Sequence, residues 1–401
     1  MNPPAVIFGG WAMGSSATRS LGEQGIPVYV LNGGDDYLRH SRYTTAFIDV
    51  GSGEGMQDRW LEWLETGPRG AALLPCNDDG VELIARNRNL LLDWGYLPVE
   101  GNDSAMITML DKDRCYDLAR ELGLSAPTIV PLREAGDLAN VPEDILYPCG
   151  LKPMHTHEFA RHFGGRLKVI VVNDRSELEA KWVEMQKRGL EMMVTEIVQG
   201  PDNRLWGYYS YLDEHGRPLV EFINRKLRQY PVHFGRGCYV VSDWDDEVVD
   251  ASLRLLRATD YLGPSHVEWK RDVRDNRLRL IEVNARFALH NEQMRACGKD
   301  LTLVAYNRLV GRPVAAPTPV RKGVRLWYPG TDVQALFDYR SRGEITFRTW
   351  LRSLIAHRKH FPVFKWYDPM PTIVAHGRIV IGRVNKLLGR SSGTSGPPRS
   401  A

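Results

Sequence analysis

Glu282, Asn284 and Arg286 stand two residues apart at the end of the run 278–286. In a strand, that spacing sends all three side chains to one face. The apolar and branched residues around them, Leu278, Leu280 and Val283, suit such a strand. The shared face then carries a carboxylate, a neutral amide and a guanidinium. Carboxylate and amide oxygens are hard donors suited to Mg²⁺. A guanidinium beside them suits a phosphate or a transferring phosphoryl group. Taken alone, a strand with one wet face would look the same. The upstream run 266–270 shifts the balance. It alternates as a second strand, and the polar stretch 271–277, with Asp275-Asn276 at its tip, reads as a hairpin loop. Glu268 then lies near Glu282. Two carboxylates that close repel unless a cation sits between them. The set Glu268, Glu282 and Asn284 therefore predicts a divalent metal carrying ATP phosphates.

A basic cluster offers the complementary charge. The strand 218–224 runs into Arg225-Lys226-Leu227-Arg228. Cations on a strand end opposite the metal pair suit an acyl phosphate or a substrate carboxylate. Arg225 and Lys226 are assigned that role, with Arg228 as a partner. Gly235 and Gly237, either side of Arg236, allow close backbone approach or a turn at positive φ.

The elements that must position these groups read as follows. Residues 5–8 form a buried-type strand, a glycine loop spans 9–16, a helix runs from Ala17 to Gln24, and a second strand covers 27–31. That β-loop-α-β unit starts a parallel sheet. The loop is not G-x-G-x-x-G, and Asn32 rather than an acid ends the second strand, which argues against a dinucleotide site. The strand 71–75 ends in Cys76-Asn77-Asp78-Asp79-Gly80, at the carboxyl end where such sheets place ligands. The same residues could serve only to cap the next helix. Asp111-Lys112 opens a helix closed by Gly123. Residues 147–153 form an apolar strand ending in Lys152-Pro153, an unusual place for a merely solvated charge. Ser176 to Glu179 reads as a capping box. His157-Glu158 with His162 has a spacing of five, not four, so the histidines fall on different helical faces and zinc is set aside.

Together these residues resemble the ATP-grasp superfamily of carboxylate–amine ligases. That family carries a glutamate on one strand and Glu-x-Asn-x-Arg on the next, here Glu268 and then Glu282, Asn284 and Arg286. The resemblance covers residues 1–315. It implies an α/β and α+β architecture: a parallel-sheet pre-ATP-grasp domain at 1–105, then a two-lobed ATP-grasp fold. The small lobe would span 106–198 and the central and C-terminal lobe 199–315. A basic aromatic extension at 316–390 and a disordered tail at 391–401 would follow. The resemblance also implies ATP with Mg²⁺, or Mn²⁺ in its place. Lys112 and Lys152 would meet the ATP phosphates, under a flexible loop containing Gly164 and Gly165. Glu196 would bind ribose, and the main chain of Val198 would meet adenine. The implied reaction joins a small-molecule carboxylate to an amine through an acyl phosphate, with an amino acid and a cell-wall or natural-product precursor as the substrate class. Arg286, Arg225 and Lys226 would hold the transferring group. Two other readings stand beside it: a carbamoyl-phosphate-synthase-like reaction on bicarbonate, and a nucleotide-binding regulatory module without turnover. Members are often dimers, so a homodimer is an expectation.

The bulk composition fits. A chain of 401 residues, 43% apolar and 25% charged, suits a protein of two or three domains. A net charge of only +3 gives no nucleic-acid signal. Five unpatterned cysteines argue against a disulfide framework and for a cytoplasmic setting. No signal peptide or membrane-length apolar run is evident. Residues 346–390 differ: nine Lys/Arg face a single acid, Asp368. Phe347, Trp350, Leu351, Leu354 and Ile355 make an apolar helical stripe. The stripe is expected to pack on the rest of the fold. The alternative is peripheral contact with the inner membrane face or a lipid-linked substrate.

Overall fold

The computed structural model describes residues 2–154, 169–375 and 377. Gly164 and Gly165, with His155, His157 and His162, lie outside the described residues. The first sheet is parallel and has the order β3-β2-β1-β4-β5. Its strands are β1 (Ala5–Phe8), β2 (Val28–Asn32), β3 (Ala46–Asp49), β4 (Ala72–Pro75) and β5 (Leu97–Pro98). β1 and β4 are buried throughout, which is why they read as unbroken apolar runs rather than alternating ones. Helices α1 (Trp11–Gly22), α2 (Met56–Thr66) and α3 (Asp78–Asp93) complete this layer.

Helix α1 begins at Trp11, six residues before the expected start. Gly14, Ser15 and Ser16 are buried inside it rather than forming a loop. Only Gly9 and Gly10 remain as the turn. β2 leaves to one side of β1 and β4 to the other, so this turn sits at a topological switch point. Gly9 has φ +90°, and a Cβ there would press on the Asn77 side chain at 3.1 Å. Asn77 caps α3 by accepting from the Gly80 amide at 3.0 Å.

Helices α4 (Asp103–Leu110) and α5 (Lys112–Glu121) lead into a four-stranded antiparallel sheet of order β6-β9-β7-β8. These are β6 (Ile129–Leu132), β7 (Cys149–Pro153), β8 (Ile170–Val172) and β9 (Met192–Glu196). Helix α6 (Arg175–Gln186) buries Leu178, Trp182 and Met185 against it. Its cap is Asp174, which accepts from the Glu177 amide at 2.8 Å, two residues before the expected capping box.

The third sheet has seven strands in the order β14-β13-β10-β11-β12-β15-β16. Its core is β10 (Leu205–Leu212), β11 (Pro218–Tyr230), β12 (Arg236–Asp243), β13 (Gly263–Arg271) and β14 (Leu278–Asn284). Helices α7 (Asp246–Arg257), α8 (Asn291–Ala296) and α9 (Leu301–Leu309) surround it. The two outer strands come from the stretch expected to be an extension. β15 (Arg325–Trp327) pairs antiparallel with β12, and β16 (Lys359–His360) adds to β15. The boundary at 316 therefore does not set off a separate body among the described residues. Between these strands lie α10 (Pro329–Ser341) and α11 (Phe347–Ile355). The apolar stripe of α11 splits: Trp350 and Leu354 pack on Tyr239 and Leu336, while Phe347, Leu351 and Ile355 are exposed. Asp368 reaches back to the first layer, accepting from Arg19 Nε at 2.9 Å and the Ser41 hydroxyl at 2.8 Å. No helix among the described residues is long and apolar enough to cross a membrane.

Candidate active site

The β13–β14 hairpin places Glu268 directly opposite Glu282 and His266 opposite Asn284, with a bulge after Glu268. One strand over, Gly207 of β10 aligns with Glu268 on one side and with Asn224 of β11 on the other. Aligned residues of an antiparallel ladder share a face. Asn224, Gly207, Glu268 and Glu282 thus form a row on one surface of the sheet. Glycine is needed in that row because neighbours close over it: a Cβ at Gly207 would meet His266 Nε2 at 2.9 Å and Asn224 Oδ1 at 3.0 Å.

Cations converge on this row from three elements. Lys226 Nζ, two residues beyond Asn224, lies 3.0 Å from Glu268 Oε2. Lys112, the first residue of α5, places Nζ 3.6 Å from Glu282 Oε1. Helix α5 is anchored by Asp111, which accepts from the amides of Asp113 and Arg114. Lys152, late in β7, is half-buried, and burial together with the charge of Lys112 lowers its pKa to about 8. Partial burial opposes ionisation of Glu282, but Lys112, Arg286, His266 and Lys226 outweigh it and pull the carboxyl down to about 2. Glu282 is therefore held as a carboxylate.

Arg286 is fixed by a residue of the first layer. Its Nε donates to Asp78 Oδ1 at 2.5 Å, and its Nη2 donates to Asn284 Oδ1 at 2.8 Å. That second bond sets the amide, so Asn284 Nδ2 donates to His266 Nδ1 at 3.3 Å. His266 then carries its proton on Nε2, 3.6 Å from Glu268 Oε1. Burial lowers the pKa of this ring to about 4, so it is a neutral donor. Tyr209 stacks on it, ring centroids 4.2 Å apart. Behind them, His290 Nε2 donates to the Gly237 carbonyl at 3.2 Å, so the Tyr209 hydroxyl donates to His290 Nδ1 at 2.7 Å.

The donor set suits a hard cation. Two carboxylates and one amide oxygen sit side by side, and no cluster of three His, Cys, Asp or Glu suited to a metal occurs among the described residues. Two protein carboxylates leave most of an octahedral shell to phosphate and water oxygens, which is how Mg²⁺ is usually held with a nucleotide. The four surrounding cations suit the phosphates themselves.

Comparison with known proteins agrees with this geometry. No family model matches the chain. D-aspartate ligase of Enterococcus faecium (strain Aus0004) is 24% identical over 284 residues, covering 68% of this chain and 67% of that protein. The solved structure of L-amino acid ligase from Bacillus licheniformis gives a TM-score of 0.57 at 16% identity, covering 77% of this chain and 74% of that one. N5-carboxyaminoimidazole synthetase from Staphylococcus aureus, complexed with ADP, gives 0.64 at 14% identity, covering 85% and 87%. The chain has the fold of the ATP-grasp enzymes. Its similarities lie with the carboxylate–amine ligases of that fold. Solved ATP-grasp neighbours hold ADP, one of them with its magnesium salt.

Within this fold the other expected residues take distinct places. Glu196 ends β9, and its carboxylate is held by Arg274 Nη2 at 2.6 Å. Val198 is buried just beyond it. The next carbonyl, that of Gln199, accepts from the Val273 amide at 3.2 Å, so the tip of the β13–β14 hairpin is stitched to the segment after β9. Arg225 is a correction. It aligns with Trp206 and Trp269, on the opposite face of the sheet from Lys226, and donates to Asp243 Oδ2 at 2.8 Å. Alternation along β11 sends neighbouring side chains apart, so only Lys226 reaches the site. Arg228 is also drawn elsewhere, into a buried pair with Asp332 of α10.

Three contributors went unassigned in the sequence. His266 lay in the quoted strand, and its period-two relation to Glu268 was the available signal. Asp78 was legible only as a cap or a substrate contact, and its hold on Arg286 spans 208 residues of sequence. Tyr209 left no local sign, because its role comes from stacking across two strands.

Proposed function

We propose that this ATP-grasp protein joins a carboxylate to an amine through an acyl phosphate, releasing ADP and phosphate. The observation that carries the reading is the Glu268–Glu282 pair flanked by Asn284 and Arg286 and met by Lys112, Lys152 and Lys226. Glu268, Glu282 and Asn284 would hold Mg²⁺, which when bound neutralises phosphate charge as phosphoryl transfer requires. Lys112 and Lys152 bind the phosphates. Glu196 takes the ribose hydroxyls and the main chain at Val198 takes adenine. In the first step the substrate carboxylate oxygen bonds to the γ-phosphorus, and the bond from that phosphorus to the bridging oxygen of ADP breaks. Arg286, kept in place by Asp78, and Lys226 stabilise the transferring group through preorganised charge. In the second step the amine nitrogen bonds to the acyl carbon, phosphate leaves, and the nitrogen gives up a proton. No protein nucleophile takes part, so the rate enhancement rests on positioning and electrostatics.

The D-aspartate ligase similarity supports an amino acid as the carboxylate substrate, joined to a cell-wall or natural-product precursor. Nucleotide product analysis tests the reading. The protein is incubated with Mg-ATP, pools of amino acids and candidate amines. ADP with phosphate, dependent on one acid–amine pair, is the expected result. AMP with pyrophosphate would overturn the acyl-phosphate route.

A further inference from the structure

We infer that the hollow between Trp11, Arg236 and helix α10 binds the second, unreacted carboxylate of a small dicarboxylic or amino-dicarboxylic substrate. The inference rests on the ligase reading and adds the class of acid. The hollow has a volume of about 220 Å³ and is lined by Trp11, Tyr230, Arg236, Leu289, Tyr328 and Gln334, among others. Such a space suits a small acid rather than a nucleotide. Three parts of the chain build it: the switch-point turn of the first sheet, the start of β12, and the start of α10.

Arg236 is the chemical centre. Its guanidinium lies 4.2 Å from the Trp11 ring centroid. Among the described residues no carboxylate pairs with it. Several neighbouring arginines of this sheet are paired: Arg225 has Asp243, Arg228 has Asp332, and Arg271 has Asp245 and Glu247. Burial disfavours the charge of Arg236, and the nearby Arg286 disfavours it further. A half-buried cation without a protein counter-charge is costly to keep, and an anionic ligand would offset that cost. The planar fork suits a carboxylate held at two points.

Trp11 carries a second sign of a built site. Its φ is +62°, a left-handed conformation that a bulky residue rarely adopts. The Asp36 carboxylate holds it there, accepting from the Trp11 amide at 3.0 Å. Strain of this kind persists where surrounding structure enforces it, commonly at ligand sites.

The hollow is also joined to the catalytic face. Gly237, in its wall, accepts the His290 bond that leads through Tyr209 to His266. Gly235, beside Arg236, accepts from Lys226 Nζ at 3.3 Å. An acid seated on Arg236 would extend its other carboxylate towards Lys226 and Glu268. Thr331 and Gln334 of α10 supply hydrogen-bonding groups for an amino substituent.

Calorimetric titration of the full chain tests this without requiring turnover. The probes are D-aspartate, L-aspartate, D-glutamate, succinate and alanine, each added with Mg²⁺ and a non-hydrolysable ATP analogue. The expected result is that at least one dicarboxylate binds and alanine does not. Affinity for that dicarboxylate falls roughly 10- to 100-fold in R236Q, recovers in part in R236K, and leaves analogue affinity unchanged. Should the R236Q melting curve show misfolding, Q334A, which keeps the guanidinium, is read instead for weakened dicarboxylate binding. Equal dicarboxylate affinity in wild type and R236Q, alanine binding as well as aspartate, or no binding by any acid would overturn the assignment. If Q334A is the variant read, unchanged dicarboxylate affinity does the same. Arg236-dependent binding with no ADP release in the presence of amines would instead sink the ligase reading and leave the anion site standing.

Discussion

The seven-stranded sheet carries two clusters of carboxylate and cation, and they are built to opposite rules. At Asp332 the carboxylate is saturated. Arg228 grips it at two points, 2.6 and 2.8 Å, and the indole nitrogens of Trp327 and Trp350 each donate at 2.9 Å. Asp332 is 0% exposed. At the hairpin, Glu268 and Glu282 meet lysines, at 3.0 and 3.6 Å, and the Glu282 side chain is 41% exposed. A lysine ammonium is a point charge on a flexible stem, easily exchanged for a metal or drawn to a phosphate, whereas a bidentate guanidinium fixes geometry. The first cluster locks α10 to β11. The second holds charge ready and leaves lone pairs free. Saturation of the carboxylate, together with the exposure of Glu282, rather than the presence of an ion pair, separates the two clusters; the Glu268–Lys226 pair is itself largely buried.

Removing one carboxylate from each cluster should therefore give opposite phenotypes. E282Q keeps shape and loses charge. Its ATP-dependent turnover should fall on the order of 10²- to 10³-fold or more, since a preorganised charge at the phosphates is lost. Its melting temperature should barely move, because an exposed single-point pair contributes little. Near-normal turnover with an unchanged melt would remove Glu282 from the chemistry. D332N should do the reverse. It leaves the Arg228 guanidinium buried and uncompensated, at a cost of about 3–5 kcal/mol measured by denaturant unfolding. Binding of a nucleotide analogue, measured where the variant is still folded, should be unaffected. A loss below about 1 kcal/mol would erase the distinction between the clusters.

How much of this was legible in the sequence follows the range of each interaction. The hairpin pair was readable because alternation and a short loop bring Glu268 and Glu282 together locally. The opening β-α-β unit was readable from its apolar runs, yet the start of α1 was misplaced: glycine and serine look like loop until a buried helix face uses their small size for packing. Lys226 and Arg225 stood side by side in sequence, and only the strand register, set through Trp206 and Gly207, decides which one faces the site. The role of residues 325–360 was not legible. Three residues of β15 carry no strand signature of their own and become a strand because β12 offers an open edge. The basic residues nearby suggested a surface, while the acid that organises the region, Asp332, is a single aspartate whose partners lie up to 104 residues away in sequence.

His233 is a case between the two clusters and gives the smallest expected effect. Its Nδ1 lies 3.1 Å from Asp202 Oδ1 and its Nε2 2.9 Å from Glu344 Oε1. Both ring nitrogens can donate only when the imidazole is protonated. The hydrogen bond to Asp202 raises its pKa above the usual 6.5, against the opposing effect of burial, with Glu344 adding to the rise. A raised folded-state pKa stabilises fully below the unfolded value and loses that stabilisation as pH rises through the folded value. His233 also has φ +69°, a conformation asparagine tolerates, so H233N removes the titrating ring without forcing the backbone. The wild type should melt above H233N below pH 6.5, by roughly 1–2 °C for a chain this long. The gap should narrow as pH climbs past the raised pKa. A gap that stays constant across that range would mean the ring acts by packing alone, as a saturated contact does. A gap that widens with pH would reverse the sign of the linkage and remove His233 from the charged contacts of this fold.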